Sequence, residues 1–171
     1  MKRIHHLTLG LLFVLMAAPV WAEILPLASD LQQDGKTSER DGTPIMIFYM
    51  STSCAYCEEV KDLYLEPMVR SGQYKGRLII RMVDIEGSEY LSDFSGKRMD
   101  HEEFADDQGV SFTPVLKFYD HQGKELVPEL LGYSSPDFYL AYLESAIETS
   151  ISKLRPDSKT AKANTGLILS R

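Results

Sequence analysis

The fold is decided by one stretch of the sequence, which reads Ile45-Met46-Ile47-Phe48-Tyr49-Met50-Ser51-Thr52-Ser53-Cys54-Ala55-Tyr56-Cys57. Its first six residues are apolar and follow Pro44, which is typical of a short strand that is buried on both faces of a sheet. Residues 58–65 carry apolar side chains at helical spacing. The stretch therefore predicts a strand, a turn and a helix that begins at the two cysteines.

The position of the cysteines predicts redox chemistry. At the start of a helix, unpaired backbone N–H groups and the positive end of the helix dipole favour a thiolate over a thiol. Such cysteines have pKa values of roughly 3.5–7.5, compared with about 8.5 for a free thiol. Cys57 follows one turn after Cys54 and can displace a partner that is held there as a mixed disulfide. We therefore predict that Cys54 is the nucleophile and Cys57 the resolving thiol.

A Cys-x-x-Cys pair can also be a structural disulfide or part of a metal site. A bridge across so short a loop removes little entropy from the unfolded chain, which disfavours a structural role. The chain has no other cysteine, and His101 and His121 lie far along it without the spacing of metal ligands. Redox use is the favoured prediction, and we expect neither a metal nor another cofactor.

The N-terminus has the pattern of an export signal. Lys2 and Arg3 form a basic head, residues 7–18 are an apolar segment, and Val20-Trp21-Ala22 is a small-x-small cleavage site. The apolar segment has 12 residues, whereas a membrane span takes roughly 20. We expect residues 1–22 to be cleaved and the mature protein to enter an oxidising compartment, where a cysteine pair stays reduced only if electrons are supplied.

Length and charge limit the classes of protein and partner. The chain has 171 residues, of which 44% are hydrophobic, enough for one domain with its own core. Its formal net charge is −7, and residues 23–150 alone carry −13, which makes nucleic acid an unsuitable partner. Residues 152–171 are basic and rich in small polar side chains, so we predict a disordered tail.

The rest of the chain predicts a series of short elements. We expect a weak helix within 27–41 and a strand at 77–85, parallel to the first because a helix connects the two. A strand at 115–119 and a turn at 120–123 predict an antiparallel hairpin that continues to Leu131. A last helix is expected from residue 136 to about 150, with an inner face made of Phe138, Leu140, Ala141, Leu143 and Ile147.

Two further features concern helix ends. Pro67 is expected to end or bend the helix that begins at the cysteines. Asp100 followed by Glu103 has the pattern of a capping box and predicts a short helix that ends at Gly109. That helix would place His101 at the surface.

Before this helix, residues 86–99 form a polar insertion, for which we expect a loop or a small hairpin.

The predicted order of elements resembles the thioredoxin fold. The resemblance covers about residues 27–150 and rests on Cys54-Ala55-Tyr56-Cys57, on Thr113-Pro114 before an apolar strand, and on Gly123 followed by Gly132. It implies an α/β domain, within residues 23–151, with a central mixed sheet flanked by helices and an insertion before the Thr-Pro segment.

The resemblance also implies a substrate-binding surface. In the family, the proline that matches Pro114 has a cis peptide bond and lies against the cysteine pair. The Thr113 backbone would then pair with an extended segment of the substrate. Tyr56 resembles the linker tyrosine of periplasmic disulfide isomerases. Thr113, Pro114 and Tyr56 are therefore the predicted substrate-binding residues.

The chain departs from thioredoxins at two places. Phe48 stands where thioredoxins have a buried aspartate that assists proton transfer, and Glu58, Glu59 or water are the candidates to replace it. The linker Ala55-Tyr56 has neither the Gly-Pro of thioredoxins nor the Pro-His of strong periplasmic oxidants. Because no linker histidine stabilises a thiolate, we favour a reductant or isomerase over a strong oxidant.

Within the superfamily, the segment 84–110 with its element Phe94-Ser95-Gly96-Lys97 resembles exported thioredoxin-related proteins of the SoxW type, which are bacterial periplasmic thiol-disulfide proteins. That resemblance implies disulfide-containing periplasmic proteins as substrates and a membrane electron donor as a partner. The alternative is a redox-inactive thioredoxin-fold module that binds partners or handles metal.

Overall fold

The computed structural model describes residues 25–133 and 136–155, so the predicted signal peptide and residues 156–171 of the predicted tail lie outside the described residues. Its helices are α1 (Leu31–Asp41), α2 (Ala55–Val60), a π-helical turn (Lys61–Leu65), α3 (Glu66–Ser71), α4 (His101–Asp107) and α5 (Pro136–Leu154). Its strands are β1 (Ile45–Met50), β2 (Ile79–Asp84), β3 (Tyr90–Ser92), β4 (Arg98–Asp100), β5 (Val115–Tyr119) and β6 (Leu130–Leu131).

The main sheet has the strand order β2-β1-β5-β6 and is mixed. Strand β1 pairs in parallel with β2, from Ile45 opposite Ile79 to Met50 opposite Asp84. On its other side β1 pairs antiparallel with β5. The predicted central mixed sheet flanked by helices is confirmed, as is the parallel pairing of the first two strands. The polar insertion forms the small hairpin of β3 and β4.

Strand β1 is buried along its whole length. Because side chains alternate between the faces of a strand, Met46, Phe48 and Met50 enter one core, together with Cys57. Ile45, Ile47 and Tyr49 enter a second core on the other face, together with Phe104 and Ala105 of α4. The cysteine helix and α5 therefore lie on one side of the sheet, and α4 and the insertion hairpin on the other.

The helix that begins at the cysteines does not end at Pro67. Proline clashes with the carbonyl four residues earlier in a regular α-helix. The chain instead widens into the π-helical turn, where the N–H of Glu66 bonds to Lys61 O, and returns to α-geometry in α3 with Pro67 in its first turn. The helical stretch thus continues to Ser71 and is followed by Gly72, at φ 65°.

The prediction of an exposed His101 is wrong. Its side chain is 0% exposed. The N–H of Asp84 donates to its Nδ1 over 3.2 Å, so Nε2 carries the proton and donates to Ala28 O over 2.8 Å. The ring joins strand β2 to the segment before α1. The capping aspartate itself is confirmed, because Asp100 accepts a hydrogen bond from the N–H of Glu103.

The inner face of α5 was predicted only in part. Leu143 and Ile147 are buried as expected, but Phe138 is 63% exposed, Leu140 is 43% exposed, and Ala141 is also exposed. The buried stripe consists of Tyr139, Leu143, Ile147, Ser150 and Ile151. It is displaced because Tyr139 packs against the rings of Tyr64 and Tyr133.

Helix α5 also extends beyond the expected end at residue 150, because Ile151 continues its buried stripe. Arg155 follows the helix and donates to Gly42 O over 2.9 Å, to Asp41 O over 2.7 Å and to Gly76 O over 3.2 Å. The first four residues of the predicted tail therefore belong to the folded domain.

The strand expected from residue 124 to Leu131 is shorter in the structure, where β6 has two residues and Glu125 forms an isolated bridge with Tyr119. In the parts of the chain that the structure describes, none of the helices has the length and apolar character needed to cross a membrane.

Candidate active site

The two cysteines form a disulfide at the start of α2, with their Cα atoms 5.2 Å apart. Cys54 is the N-cap of the helix and has an extended backbone. The N–H of Cys57 lies 3.1 Å from Cys54 Sγ and donates to it. A donor at this distance would stabilise negative charge on the same sulfur once the disulfide is reduced. The predicted helix start at the cysteines is therefore confirmed.

The two sulfurs differ in access. Cys54 is half-buried, whereas Cys57 is completely buried in the core that also holds Phe48. An incoming disulfide can reach the first sulfur but not the second. The geometry supports the prediction that Cys54 attacks and Cys57 resolves, because a resolving thiol needs access only to Cys54.

The loop before Cys54 is organised by Ser51, which sequence reasoning missed. The N–H of Cys54 donates to Ser51 O over 3.1 Å, and the N–H of Ser53 donates to Ser51 Oγ over 3.2 Å. The Ser51 hydroxyl in turn donates to Glu86 Oε2 over 2.5 Å. Glu86 follows strand β2, so the neighbouring strand helps to fix the position of the nucleophile. The cluster of small polar residues after β1 was the available signal.

Thr113 and Pro114 lie at the edge of the sheet from which the cysteine loop leaves. Val115 is opposite Tyr49 in the antiparallel β1–β5 pair, so Pro114, which precedes it, lies at the level of Met50 at the end of β1. The Thr113–Pro114 bond is cis, Pro114 is buried, and Thr113 is half-buried. The carbonyl of Pro114 accepts the N–H of Gly132, which ties this segment to β6.

Tyr56 lies between the cysteines and is 60% exposed. Its ring centroid is 6.1 Å from that of Tyr133, which follows β6. A hydrogen bond with Tyr64, followed by burial, raises the pKa of Tyr133 to about 12. Tyr133 is therefore neutral at physiological pH. The sequence offered no signal for it, since 77 positions separate the two tyrosines.

The candidates for proton transfer occupy different environments. Phe48 is fully buried in the core that also holds Cys57. Glu58 is half-buried and its carboxylate is bound by Lys61 Nζ, which raises the pKa of Lys61 through that hydrogen bond. Glu59 is exposed. The proton-transfer group stays a prediction.

Within residues 25–133 and 136–155, no group of three or more His, Cys, Asp and Glu side chains is arranged to hold a metal ion. His121 lies in the turn before Gly123, with Nε2 3.8 Å from Glu39 Oε1.

The chain is similar to known proteins over most of its length. The sequence profile described as a thioredoxin-like domain matches residues 31–147. No curated protein matches the chain. Among solved structures, a thioredoxin-fold protein from Helicobacter pylori is 24% identical, with 73% of this chain and 86% of that chain covered and a TM-score of 0.49.

Two thioredoxins are more distant in sequence. Oxidised mitochondrial thioredoxin 3 from Saccharomyces cerevisiae is 12% identical, with 72% of this chain and 93% of that chain covered and a TM-score of 0.49. Wild-type thioredoxin h from poplar is 17% identical, with coverages of 68% and 94% and a TM-score of 0.47. The family match, the mixed sheet and the paired cysteines agree: the chain belongs to the thioredoxin-like family and is a thiol-disulfide oxidoreductase.

Proposed function

We propose that this protein is an exported thioredoxin-related protein of the SoxW type, which acts in the periplasm as a reductant or isomerase of protein disulfides. The observation that carries the proposal is the access of the two sulfurs: Cys54 is half-buried and accepts an N–H, while Cys57 is enclosed. The linker Ala55-Tyr56 supports the redox direction, because it lacks a histidine that would stabilise a Cys54 thiolate.

In the reducing direction, the Cys54 thiolate attacks one sulfur of a substrate disulfide. An S–S bond to Cys54 forms as the substrate bond breaks, and the released substrate thiolate takes up a proton. The Cys57 thiol then loses its proton and attacks Cys54 Sγ. This second step forms the Cys54–Cys57 disulfide and releases the other substrate thiol.

The balance of this reaction requires a partner. The substrate gains two electrons and two protons, and the oxidised protein has lost them. In an oxidising compartment the pair returns to the dithiol only through a reductant, so a membrane-bound dithiol donor is the partner that we propose. In isomerisation a substrate thiol displaces Cys54 instead, and no net electrons are needed.

Trapping tests the reaction. In Cys57→Ser the second step is blocked, so mixed disulfides between Cys54 and periplasmic proteins should accumulate and disappear on reduction with dithiothreitol. Cys54→Ser is the matched control and should trap nothing. A folded Cys57→Ser variant that trapped no protein, together with a wild type that did not reduce insulin, would favour the redox-inactive binding module.

Equilibration with glutathione buffers tests the direction. A reductant or isomerase should have a reduction potential at or below about −180 mV, whereas strong periplasmic oxidants lie near −120 mV. A value near the second figure would contradict the proposed direction but not the exchange chemistry. Localisation is tested by fusing residues 1–22 to alkaline phosphatase, which gains activity only after export.

A further inference from the structure

Four tyrosines extend from the cysteine linker to the start of α5, and we call them the tyrosine cluster: Tyr56, Tyr64, Tyr133 and Tyr139. The centroid of Tyr133 is 6.1 Å from those of Tyr56 and Tyr64 and 5.1 Å from that of Tyr139. Tyr139 is buried and Tyr56 is mostly exposed. The cluster therefore has a fixed inner end in the core and an open outer end beside Cys54.

The middle of the cluster is held by hydrogen bonds. Tyr64 donates from its hydroxyl to Pro136 O over 3.2 Å, and its oxygen lies 3.3 Å from that of Tyr133. These bonds join the π-helical turn to the start of α5. Because the rings of Tyr64 and Tyr133 are held in place before a ligand arrives, binding against them would cost little side-chain entropy.

Carboxylates lie along the edge of the tyrosine cluster. Glu59 is one helical turn after Tyr56, on the same side of the helix, and is exposed. Asp137 follows Pro136 in the first turn of α5 and is also exposed. After the hydrogen bond with Tyr64 and burial, both carboxylates contribute to raising the pKa of Tyr133. The cluster thus combines neutral aromatic faces with negative charge, a combination that attracts cations.

We propose that the tyrosine cluster, with Glu59 and Asp137, binds a lysine or arginine side chain of the substrate polypeptide near its reactive disulfide. The inference rests on the proposed function, since it concerns the substrate of the same cysteines. The ring centroid of Tyr133 lies 6.1 Å from that of Tyr56, and Tyr56 is two residues from Cys54 in the sequence. In an extended segment, at about 3.3 Å per residue, the basic side chain would lie about two to four residues from the attacked cysteine.

The test uses three peptides, each with a single cysteine that forms a mixed disulfide with 2-mercaptoethanol. The peptides differ only at the position three residues from that cysteine. That position is Lys, Gln or Glu. Reduction by the wild-type protein should be about threefold faster for Lys than for Gln, on the scale of an exposed cation–π contact, and slowest for Glu. The difference should shrink at about 1 M salt, where the Debye length is about 3 Å.

Variants assign the preference to the surface. Tyr133→Leu and Glu59→Gln should each bring the Lys and Gln rates together. Asp106→Asn removes an exposed carboxylate from α4, on the other side of the sheet, and should keep the full preference. Glu59→Gln changes an exposed side chain, so it tests the inference even where Tyr133→Leu disturbs packing. Because the measured quantity is the ratio of the Lys rate to the Gln rate, loss of a proton-transfer role at Glu59 would slow both peptides equally and leave that ratio unchanged.

Binding without exchange gives a second measurement. A peptide with Ser in place of its cysteine should bind the Cys54→Ser protein more tightly with Lys than with Glu, by fluorescence anisotropy. Equal rates and equal binding for the three peptides, or faster reduction of the Glu peptide than of the Lys peptide, would overturn the inference. A protein that failed to reduce uncharged 2-hydroxyethyl disulfide would instead contradict the proposed function.

Discussion

At the scale of single residues, the reactivity of the site depends on which atoms reach solvent. Cys54 is half-buried, accepts an N–H and caps a helix, whereas Cys57 lies among apolar side chains. The N–H bond and the helix start stabilise a thiolate at Cys54. The apolar surroundings of Cys57 disfavour a charged sulfur there, because burial without a donor destabilises a charge.

We therefore expect substoichiometric iodoacetamide to alkylate Cys54 before Cys57 in the fully reduced protein at pH 7. Peptide mass mapping after short reaction times gives the order directly. Alkylation in about 6 M guanidinium, where both thiols are exposed, is the control and should remove the difference. Faster labelling of Cys57 in the native protein would reverse the assigned roles.

Ser51 is the second residue whose effect can be measured. Ser51→Ala removes a hydroxyl that accepts from the N–H of Ser53 and donates to the Glu86 carboxylate. Because Ser51 is buried, we expect its loss to lower the free energy of unfolding by about 1–2 kcal/mol, measured in urea.

The same change should slow disulfide exchange, because the loop that holds Cys54 loses its anchor. Ser88→Ala, at an exposed position of the neighbouring loop, is the control and should change neither quantity. Unchanged exchange in a destabilised Ser51→Ala protein would limit Ser51 to a structural role.

At the scale of elements, patterns that depend on neighbouring residues were predictable and contacts between distant segments were not. The apolar run of β1 and the helix start at Cys54 are both encoded locally, and both are confirmed. The burial of His101 was missed because its partners, Ala28 O and the N–H of Asp84, come from other segments. The stripe of α5 was misplaced for the same reason, since Tyr139 is drawn inward by two distant rings.

The end of α5 leads to a prediction about truncation. Removing residues 156–171 should leave the free energy of unfolding unchanged within about 0.5 kcal/mol. Removing Arg155 as well should lower the free energy of unfolding by about 1–2 kcal/mol. Its guanidinium donates to the carbonyls of Asp41 and Gly42 at the end of α1, and to that of Gly76 in the loop before β2. Urea unfolding of the two truncated proteins, which differ by one residue, measures this step. Equal stabilities would show that the Arg155 bonds contribute nothing net.

At the scale of the whole molecule, the tyrosines link stability to alkaline pH. Burial is the main cause that raises the pKa values of Tyr49, Tyr119 and Tyr139 well above 10, and the hydrogen bond with Tyr64 raises that of Tyr133 to about 12. In the unfolded chain these phenols ionise near pH 10. Between pH 10 and 12 the folded protein therefore holds more protons than the unfolded chain, and its stability must fall as pH rises.

We expect the contribution of the tyrosines to the free energy of unfolding to be constant below about pH 9 and to decrease steadily above pH 10. Absorbance at 295 nm, which follows tyrosinate, should show fewer ionised tyrosines at pH 11 in the native protein than in the unfolded one. Tyr119→Phe is the control, because it removes one raised group and should reduce the slope of stability against pH. Identical titration of native and unfolded protein would contradict the burial of these rings.

The division of β1 between two cores has an optical consequence. The single tryptophan of the sequence is Trp21, within the predicted signal peptide, so the domain can take an introduced tryptophan as its reporter. Phe48→Trp would place an indole two residues before the end of β1, in the core that also holds Cys57, where a disulfide quenches indole emission and a dithiol quenches it less. A tryptophan in place of Phe104 would lie across the sheet and would follow unfolding alone. A single strand thereby separates the redox signal from the folding signal.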